Sequence, residues 1–233
     1  RLADFPHYLM HRAEQLDNLY IFKNTEGTPE NIRKFHPNII VSSTGSAPLL
    51  PPIAGLKDRI DNENHNIYSI LGMISHINDF PKDLEGKKVV VVGGGAVGLD
   101  VVEFFADRNA DIYIVEMMDQ IGRDLDPVSK NDTKTMMKKH NVHQLTKTAL
   151  LEVKDSSFLV RGDGEPYELP FEYGFVCLGM RAQGQLYQSL TEEFSSEDVE
   201  IMNIGDSQRA RRIIDGTQEG RNILTVLEQK GYL

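Results

Sequence analysis

The strongest hydrophobic signal in the chain is Lys87-Lys88-Val89-Val90-Val91-Val92, closed by Gly93-Gly94-Gly95. A β-branched run without polar alternation marks a strand buried on both faces, as in a parallel sheet with helices above and below. Behind it, Ala96 to Arg108 places Val97, Val101, Val102, Phe104, Phe105 and Ala106 at helical spacing, and Asn109 stands where a left-handed C-terminal cap is expected. Ile112-Tyr113-Ile114-Val115 is a second strand, ending at Glu116. Strand, helix and strand in this order indicate an α/β fold built on a parallel sheet.

On the upstream side, Leu9, Ala13, Leu16 and Leu19 recur at helical spacing and predict an amphipathic helix over Tyr8 to Leu19, its apolar face buried by a sheet. A short strand, Leu19 to Lys23, is expected next. Thr28 as N-cap and Pro29 at the first helical position open a short helix to Phe35. Asn38 to Ser43 is an apolar strand ending in Thr44-Gly45, after which Pro48, Pro51 and Pro52 argue against regular structure and suggest a linker. Downstream, the pattern predicts a helix over Val128 to His140, then short strands at Ala149 to Lys154, Ser157 to Arg161 and Phe171 to Leu178, with a turn at Gly162 to Pro166. These are read as an antiparallel hairpin inserted before a final parallel strand. Glu200 to Ile204 is a further strand ending in Gly205-Asp206, and Ile213 to Gln229 is a closing helix.

Gly93-x-Gly95-x-x-Gly98 lies directly between a buried strand and a helix, and the acid Glu116 ends the next strand about 20 residues on, as a dinucleotide fingerprint requires. The first glycine permits the tight turn, the second lets a pyrophosphate approach the backbone, and the third allows the helix to pack closely on the strand. The N–H groups of the first helical turn, at Ala96 and Val97, offer a site for the phosphate charge, and Glu116 can accept hydrogen bonds from a ribose 2′-hydroxyl. A 2′-phosphate beside Glu116 would meet repulsion, so NAD is favoured over NADP; Arg123 is the nearest base that could fold back to alter that.

Composition narrows the alternatives. At about 150 residues per domain, 233 residues correspond to about one and a half domains. With 25 Lys plus Arg against 35 Asp plus Glu, the formal charge of −10 repels nucleic acid. The single cysteine, Cys177, excludes an internal disulfide, a CxxC redox pair or a cysteine-built cluster within the chain; it sits in an apolar strand and reads as a small buried hydrophobe. A reducing cytoplasm is the expected compartment, and no apolar stretch reaches the length of a membrane span. His7 with His11, and His140 with His143, lack companions to complete a metal site and read as surface histidines. Arg209, Arg211 and Arg212 read as solvated.

Taken together, Thr44-Gly45-x-x-Pro48, the Val89 to Gly98 segment with Glu116, Phe175-Val-Cys-Leu-Gly179 and Ile204-Gly-Asp206 resemble the two-dinucleotide-binding flavoprotein reductases. In these an FAD domain is interrupted by an inserted NAD(P)H domain. The closing stretch from Gly205 to Gly220 is most similar to old yellow enzyme-type fusions such as 2,4-dienoyl-CoA reductase, enoate reductase and NADH oxidase-like enzymes. The resemblance implies a Rossmann-like NAD-binding domain at 67–184, inserted into a partial FAD-binding domain formed by 1–66 and 185–233. It implies that Gly93, Gly95, Ala96, Val97, Gly98 and Glu116 hold NAD(H), with Gly179 on its nicotinamide side. Thr44 and Gly45 would approach FAD through backbone, and Asp206 would bond its ribityl chain. Catalytic residues are not assigned. The family's usual Glu two residues after the last fingerprint glycine is Asp100 here, and its customary helix-closing glycine is Asn109.

The family's first glycine fingerprint is expected upstream of Tyr8, outside this chain, as are an N-terminal barrel and any FMN or iron–sulfur cluster; the Arg1-Leu-Ala-Asp start reads as a cut edge. The implied role is the NADH-binding electron-input part of an FAD-dependent oxidoreductase, and the isolated chain is expected to be colourless or weakly flavinated, and inactive or weakly active. Competing readings are a non-catalytic NAD(H)-binding sensor or assembly module, and a disulfide-reductase-like NADH oxidase whose redox cysteine lies elsewhere.

Overall fold

The structure is a computed structural model that describes residues 4–232. In chain order it contains α1 (Asp4–Glu14), α2 (Pro29–Arg33), β1 (Ile39–Ser42), β2 (Ser46–Pro48), α3 (Leu56–Arg59), β3 (Ile67–Tyr68), α4 (Ile70–Ser75), β4 (Lys88–Val92), α5 (Ala96–Ala106), β5 (Asp111–Val115) and α6 (Pro127–Lys139). There follow β6 (His143–Leu145), β7 (Ala149–Val153), β8 (Ser157–Arg161), β9 (Tyr167–Pro170), β10 (Tyr173–Val176), β11 (Met180–Ala182), α7 (Gln185–Glu193), β12 (Glu200–Asn203), a 3-10 turn (Gly205–Ser207) and α8 (Ile213–Gln229). The chain divides into two compact units: the segment up to Ser42 together with Gly184–Asn203, and Ser43–Gln183 together with the segment from Ile204 onward.

The larger unit is organised by a Rossmann-like five-stranded sheet in the order β3-β10-β4-β5-β6, and every pairing in it is parallel. β4 lies at its centre, and the valine run expected to be buried on both faces is buried throughout. Val89 and Val91 pack with Val101, Val102 and Phe105 of α5, Ile112 and Ile114 of β5, and Phe175 of β10. Aromatic rings fill this side, with Phe105 4.9 Å from Phe175 and 5.2 Å from Phe80 between ring centroids. The opposite face departs from expectation. Val90 and Val92 pack on Val153, Phe158, Val160 and Leu169, so a second sheet covers the place where helices were expected.

That second sheet has three antiparallel strands, β7-β8-β9, where the pattern predicted a hairpin. β9 carries no hydrophobic pattern of its own, since only Leu169 of its four residues is buried. Its Glu168 instead pairs with Lys154 at 2.5 Å and accepts from Ser157 Oγ at 2.9 Å. The proline-rich segment is not wholly irregular either: β2 pairs antiparallel with β11, with Pro48 opposite Met180. The neighbouring bonds run from Leu49 N to Gly179 O and from Gln183 N to Gly45 O. Antiparallel pairing alternates bonded and non-bonded positions, so Pro48 stands where no N–H is required. Asn109 is left-handed, at φ 59°, as its capping role predicts.

In the smaller unit β1 pairs in parallel with β12, and Ile40, Leu190 and Phe194 form a compact core. Thr28 caps α2 as expected, accepting from Asn31 N at 3.3 Å. Arg33 bonds Glu193 at 2.7 Å and also Glu197, and its guanidinium lies 4.6 Å over the Phe194 ring. The two carboxylates hold the guanidinium pKa above its ordinary value. The first helix differs from its sequence pattern: α1 ends at Glu14, leaving Leu16 and Leu19 beyond it, and buries no residue. Spacing defines an apolar face, but nothing among the described residues covers this one. The strand expected at Leu19 to Lys23 does not form; Phe22 turns to Phe35, with ring centroids 5.1 Å apart. Among the described residues no helix is long and apolar enough to cross a membrane.

Gly174 of β10 makes the joint between the two layers testable. A Cβ there would meet Phe158 Cζ at 2.7 Å and Phe171 Cζ at 2.8 Å. Gly174→Ala is expected to cost about 1–3 kcal/mol through overpacking. Gly164→Ala, where a Cβ meets nothing within 4 Å, is expected to stay within about 0.5 kcal/mol of the parent. Urea titrations followed by circular dichroism check both.

Candidate functional site

The chain reverses direction across the main sheet at β4: β5 and β6 extend to one side, β10 and β3 to the other. Open α/β sheets bind ligands outside the carboxyl ends of the strands at such a switch point. A cleft of about 600 Å³ lies there. Gly93, Gly95, Ala96 and Val97 border it from the β4–α5 turn, Glu116 from the end of β5, and Gly179 from beyond β10. Six of the residues expected to hold a dinucleotide are thus brought to one cleft.

The glycines do different work. Gly93 has φ 107°, and a Cβ there would stand 2.2 Å from the Cys177 carbonyl oxygen. A Cβ at Gly98 would stand 1.9 Å from the Gly93 carbonyl oxygen. Gly98 therefore lies beneath the cleft as a packing contact, while Gly93 makes the turn. At Gly95 a Cβ would come no nearer than 4.0 Å to any protein atom, the nearest being the carboxylate of Asp124. Gly179, at φ 105°, likewise faces nothing within 4 Å. Gly95 is the N-cap of α5 without a side-chain cap, so the N–H groups of the helix's first turn are available to a ligand. Open cradles of this kind suit a dinucleotide backbone.

Glu116 is engaged on both oxygens: Gly94 N–H donates to Oε2 at 2.6 Å and Met118 N–H to Oε1 at 2.7 Å. A carboxylate offers about four acceptor sites, so each oxygen retains capacity for a ribose hydroxyl. Gly94, which the sequence pattern treats as a free position, is also constrained, since a Cβ would stand 3.0 Å from Glu116 Oε2. The far wall, including Pro51, Ile53 and Leu150, was not foreseen. It comes from the linker and the inserted sheet, which carry no motif. Asp124 was missed for the same reason.

Cys177 borders the cleft but is nearly enclosed, and burial, aided by the charge of Asp100, pushes its thiol pKa up to about 12. The expected small hydrophobe is what the structure holds. Asp100 lines a separate hollow between α5 and α6 with Glu103 and Asp132. Desolvation first, and the Glu103 charge second, raise its carboxyl pKa.

Thr44, Gly45 and Asp206 form a second group in the same unit. Ser46 Oγ donates to Asp206 Oδ2 at 3.2 Å, Arg211 N–H donates to Oδ1 at 3.1 Å, and Thr44 Oγ1 donates to the Gln183 carbonyl at 2.7 Å. Gly45 (φ 76°) and Gly205 (φ 65°) both face open space. Glu219 fixes this turn by accepting from Gly205 N at 2.6 Å and Arg211 at 2.5 Å, and these donors hold its carboxyl pKa below the ordinary range. Arg211 is thus paired and not simply solvated. The β2–β11 ladder links this group to Gly179.

Residues 13–202 match the family described as pyridine nucleotide-disulphide oxidoreductase. The chain is 26% identical to a metal reductase of Desulforamulus reducens, over 94% of this chain and 36% of that protein. It is also 26% identical to an NADH oxidase of Thermoanaerobacter brockii, over 82% of this chain and 28% of that protein. The chain spans about a third of the length of these relatives. Among solved structures, 2-naphthoyl-CoA reductase matches its fold with a TM-score of 0.76 at 21% identity, over 94% of this chain and 31% of that one. Histamine dehydrogenase from Rhizobium sp. 4-9 matches with a TM-score of 0.74 at 15% identity, over 94% of this chain and 35% of that one.

The thiol supplies a direct check on the cleft wall. At pH 8 Cys177 is expected to resist a thiol reagent in the folded chain and to react fully in denaturant. Its raised pKa also has a stability consequence. From the ordinary value of 9.0 upward the unfolded chain gains a thiolate that the folded chain refuses, so stability is expected to fall between pH 9 and about 12. Cys177→Ala is expected to lessen that fall, measured by urea titration across the pH window.

Proposed function

Because the chain belongs to the pyridine nucleotide-disulphide oxidoreductase family, we propose that it is the NADH-binding electron-input part of an FAD-dependent oxidoreductase, of the old yellow enzyme-type fusions. The observation that carries this reading is the single cleft at the sheet's switch point, where open glycines, a free helix N-terminus and an oriented carboxylate converge. Its division of labour follows the sequence: an NAD-binding domain over 67–184, set between FAD-domain segments 1–66 and 185–233.

Hydride donation and acceptance are chemistry that nicotinamide and isoalloxazine supply when bound. The residues of this chain bind, orient and exclude water. The N–H groups at the start of α5 receive a pyrophosphate across Gly95, and Glu116 accepts from the adenosine ribose hydroxyls while its own position is held by Gly94 and Met118. The backbone at Gly179 leaves room on the nicotinamide side, and the mainly apolar far wall sheds water. Thr44, Gly45 and Asp206 offer a flavin the backbone approach and hydrogen-bonding edge described above. The remainder of the FAD site, a barrel and any FMN or iron–sulfur cluster belong to other parts of the full-length protein, together with the substrate.

Calorimetric titration of the purified chain with NADH tests the reading; no heat of binding at millimolar NADH or NADPH would defeat it. Glu116→Ala is expected to weaken NADH binding by about tenfold or more, through loss of charged hydrogen bonds, and to narrow the preference over NADPH. The isolated chain is expected to purify with little flavin; stoichiometric FAD surviving purification would contradict that expectation.

A further inference from the structure

One charged side chain at the cleft, Asp124, has no partner among the described residues and no part in holding the dinucleotide. Asp124 lies on the loop between β5 and α6, and both its carboxylate oxygens stand 4.0 Å from the point where a Gly95 side chain would begin. It borders the main cleft and also an adjoining hollow of about 410 Å³ that Glu116 and Arg123 share. Two nearby carboxylates are satisfied. Glu116 accepts two backbone N–H groups, and Asp126 caps α6 by accepting from Val128 N at 2.9 Å and Ser129 N at 3.2 Å. Asp124 makes no hydrogen bond or ion pair among the described residues. Lys130, a cation nearby, donates to the Arg123 carbonyl at 2.9 Å.

A second glycine in this fingerprint is small so that pyrophosphate can approach the backbone. At Gly95 the space so kept is bounded by a free carboxylate. We propose that Asp124 is a charge-setting residue of the cleft: it weakens the hold on any ligand that carries a pyrophosphate. The proposal rests on the cleft being the dinucleotide site. The helix N-terminus attracts the phosphates and the Asp124 carboxylate beside Gly95 repels them, so the electrostatic hold on the phosphates is weaker than the helix N-terminus alone would give.

The test uses the whole chain and its Asp124→Asn variant, with NADH binding followed by fluorescence at low and high salt, and adenosine binding followed by displacement of NADH. At about 0.01 M ionic strength, where screening is weak, the variant is expected to bind NADH about three- to tenfold more tightly. That advantage should shrink at about 0.5 M salt as screening removes the opposing charge. Adenosine, which carries no phosphate, should bind both proteins equally. Unchanged or weaker NADH binding by a folded variant at low salt overturns the proposal; weakening is the result expected if the carboxylate instead held a cation or water against the phosphates. An equal gain for adenosine also overturns it, since general loosening of the loop would then be the cause. Failure of both proteins to bind NADH is distinguishable, because it defeats the reading of the cleft itself.

Discussion

Three backbone segments meet at Gly93 with no room for a side chain. A Gly93 Cβ would stand 2.2 Å from the Cys177 carbonyl oxygen, and a Gly98 Cβ 1.9 Å from the Gly93 carbonyl oxygen. This stack of close approaches joins β4, the end of β10 and the first turn of α5. A strand that must turn sharply into a helix, beside a second strand end, can do so only if glycine supplies both the positive φ and the missing volume. The cleft exists because of that turn: α5 begins there with its N–H groups exposed, and β10 ends there to form the opposite lip.

The turn can be held so tightly because β4 is clamped from both sides. Its odd-numbered valines meet α5 and the Phe80, Phe105 and Phe175 rings, and its even-numbered ones meet the inserted antiparallel sheet. The inserted sheet has a functional consequence as well as a packing one. Ala149 and Leu150 at the start of β7, with Thr148 just before it, line the cleft, so the layer that buries Val90 and Val92 also builds the cleft's apolar wall. Core and site share one piece of structure.

Much of this could be read beforehand where a local rule was strong. The valine run, Asn109 in its left-handed cap, Thr28 and Pro29 at the start of α2, and the closing helix all took the predicted form, because each depends on the residue's own geometry or on near neighbours. The misses share a cause. β9 shows its single buried leucine to another sheet, β2 accommodates Pro48 because its partner strand requires no bond there, and α1 has an apolar face that no described residue covers. In each the deciding contact is distant in sequence, and periodicity carries no information about it.

The sequence by itself determined the fingerprint, its acid at Glu116 and the α/β class, since glycine spacing and valine burial are local consequences of backbone geometry and hydrophobicity. The tertiary structure decided what surrounds them. It turned Gly94 into a constrained position by laying Glu116 across it, made Cys177 an inert wall by enclosing it, and brought the free carboxylate of Asp124 to the gap that Gly95 keeps open. Those outcomes depend on which remote segments a chain presses together, and packing free energy summed over a whole core settles that, whatever any single residue prefers.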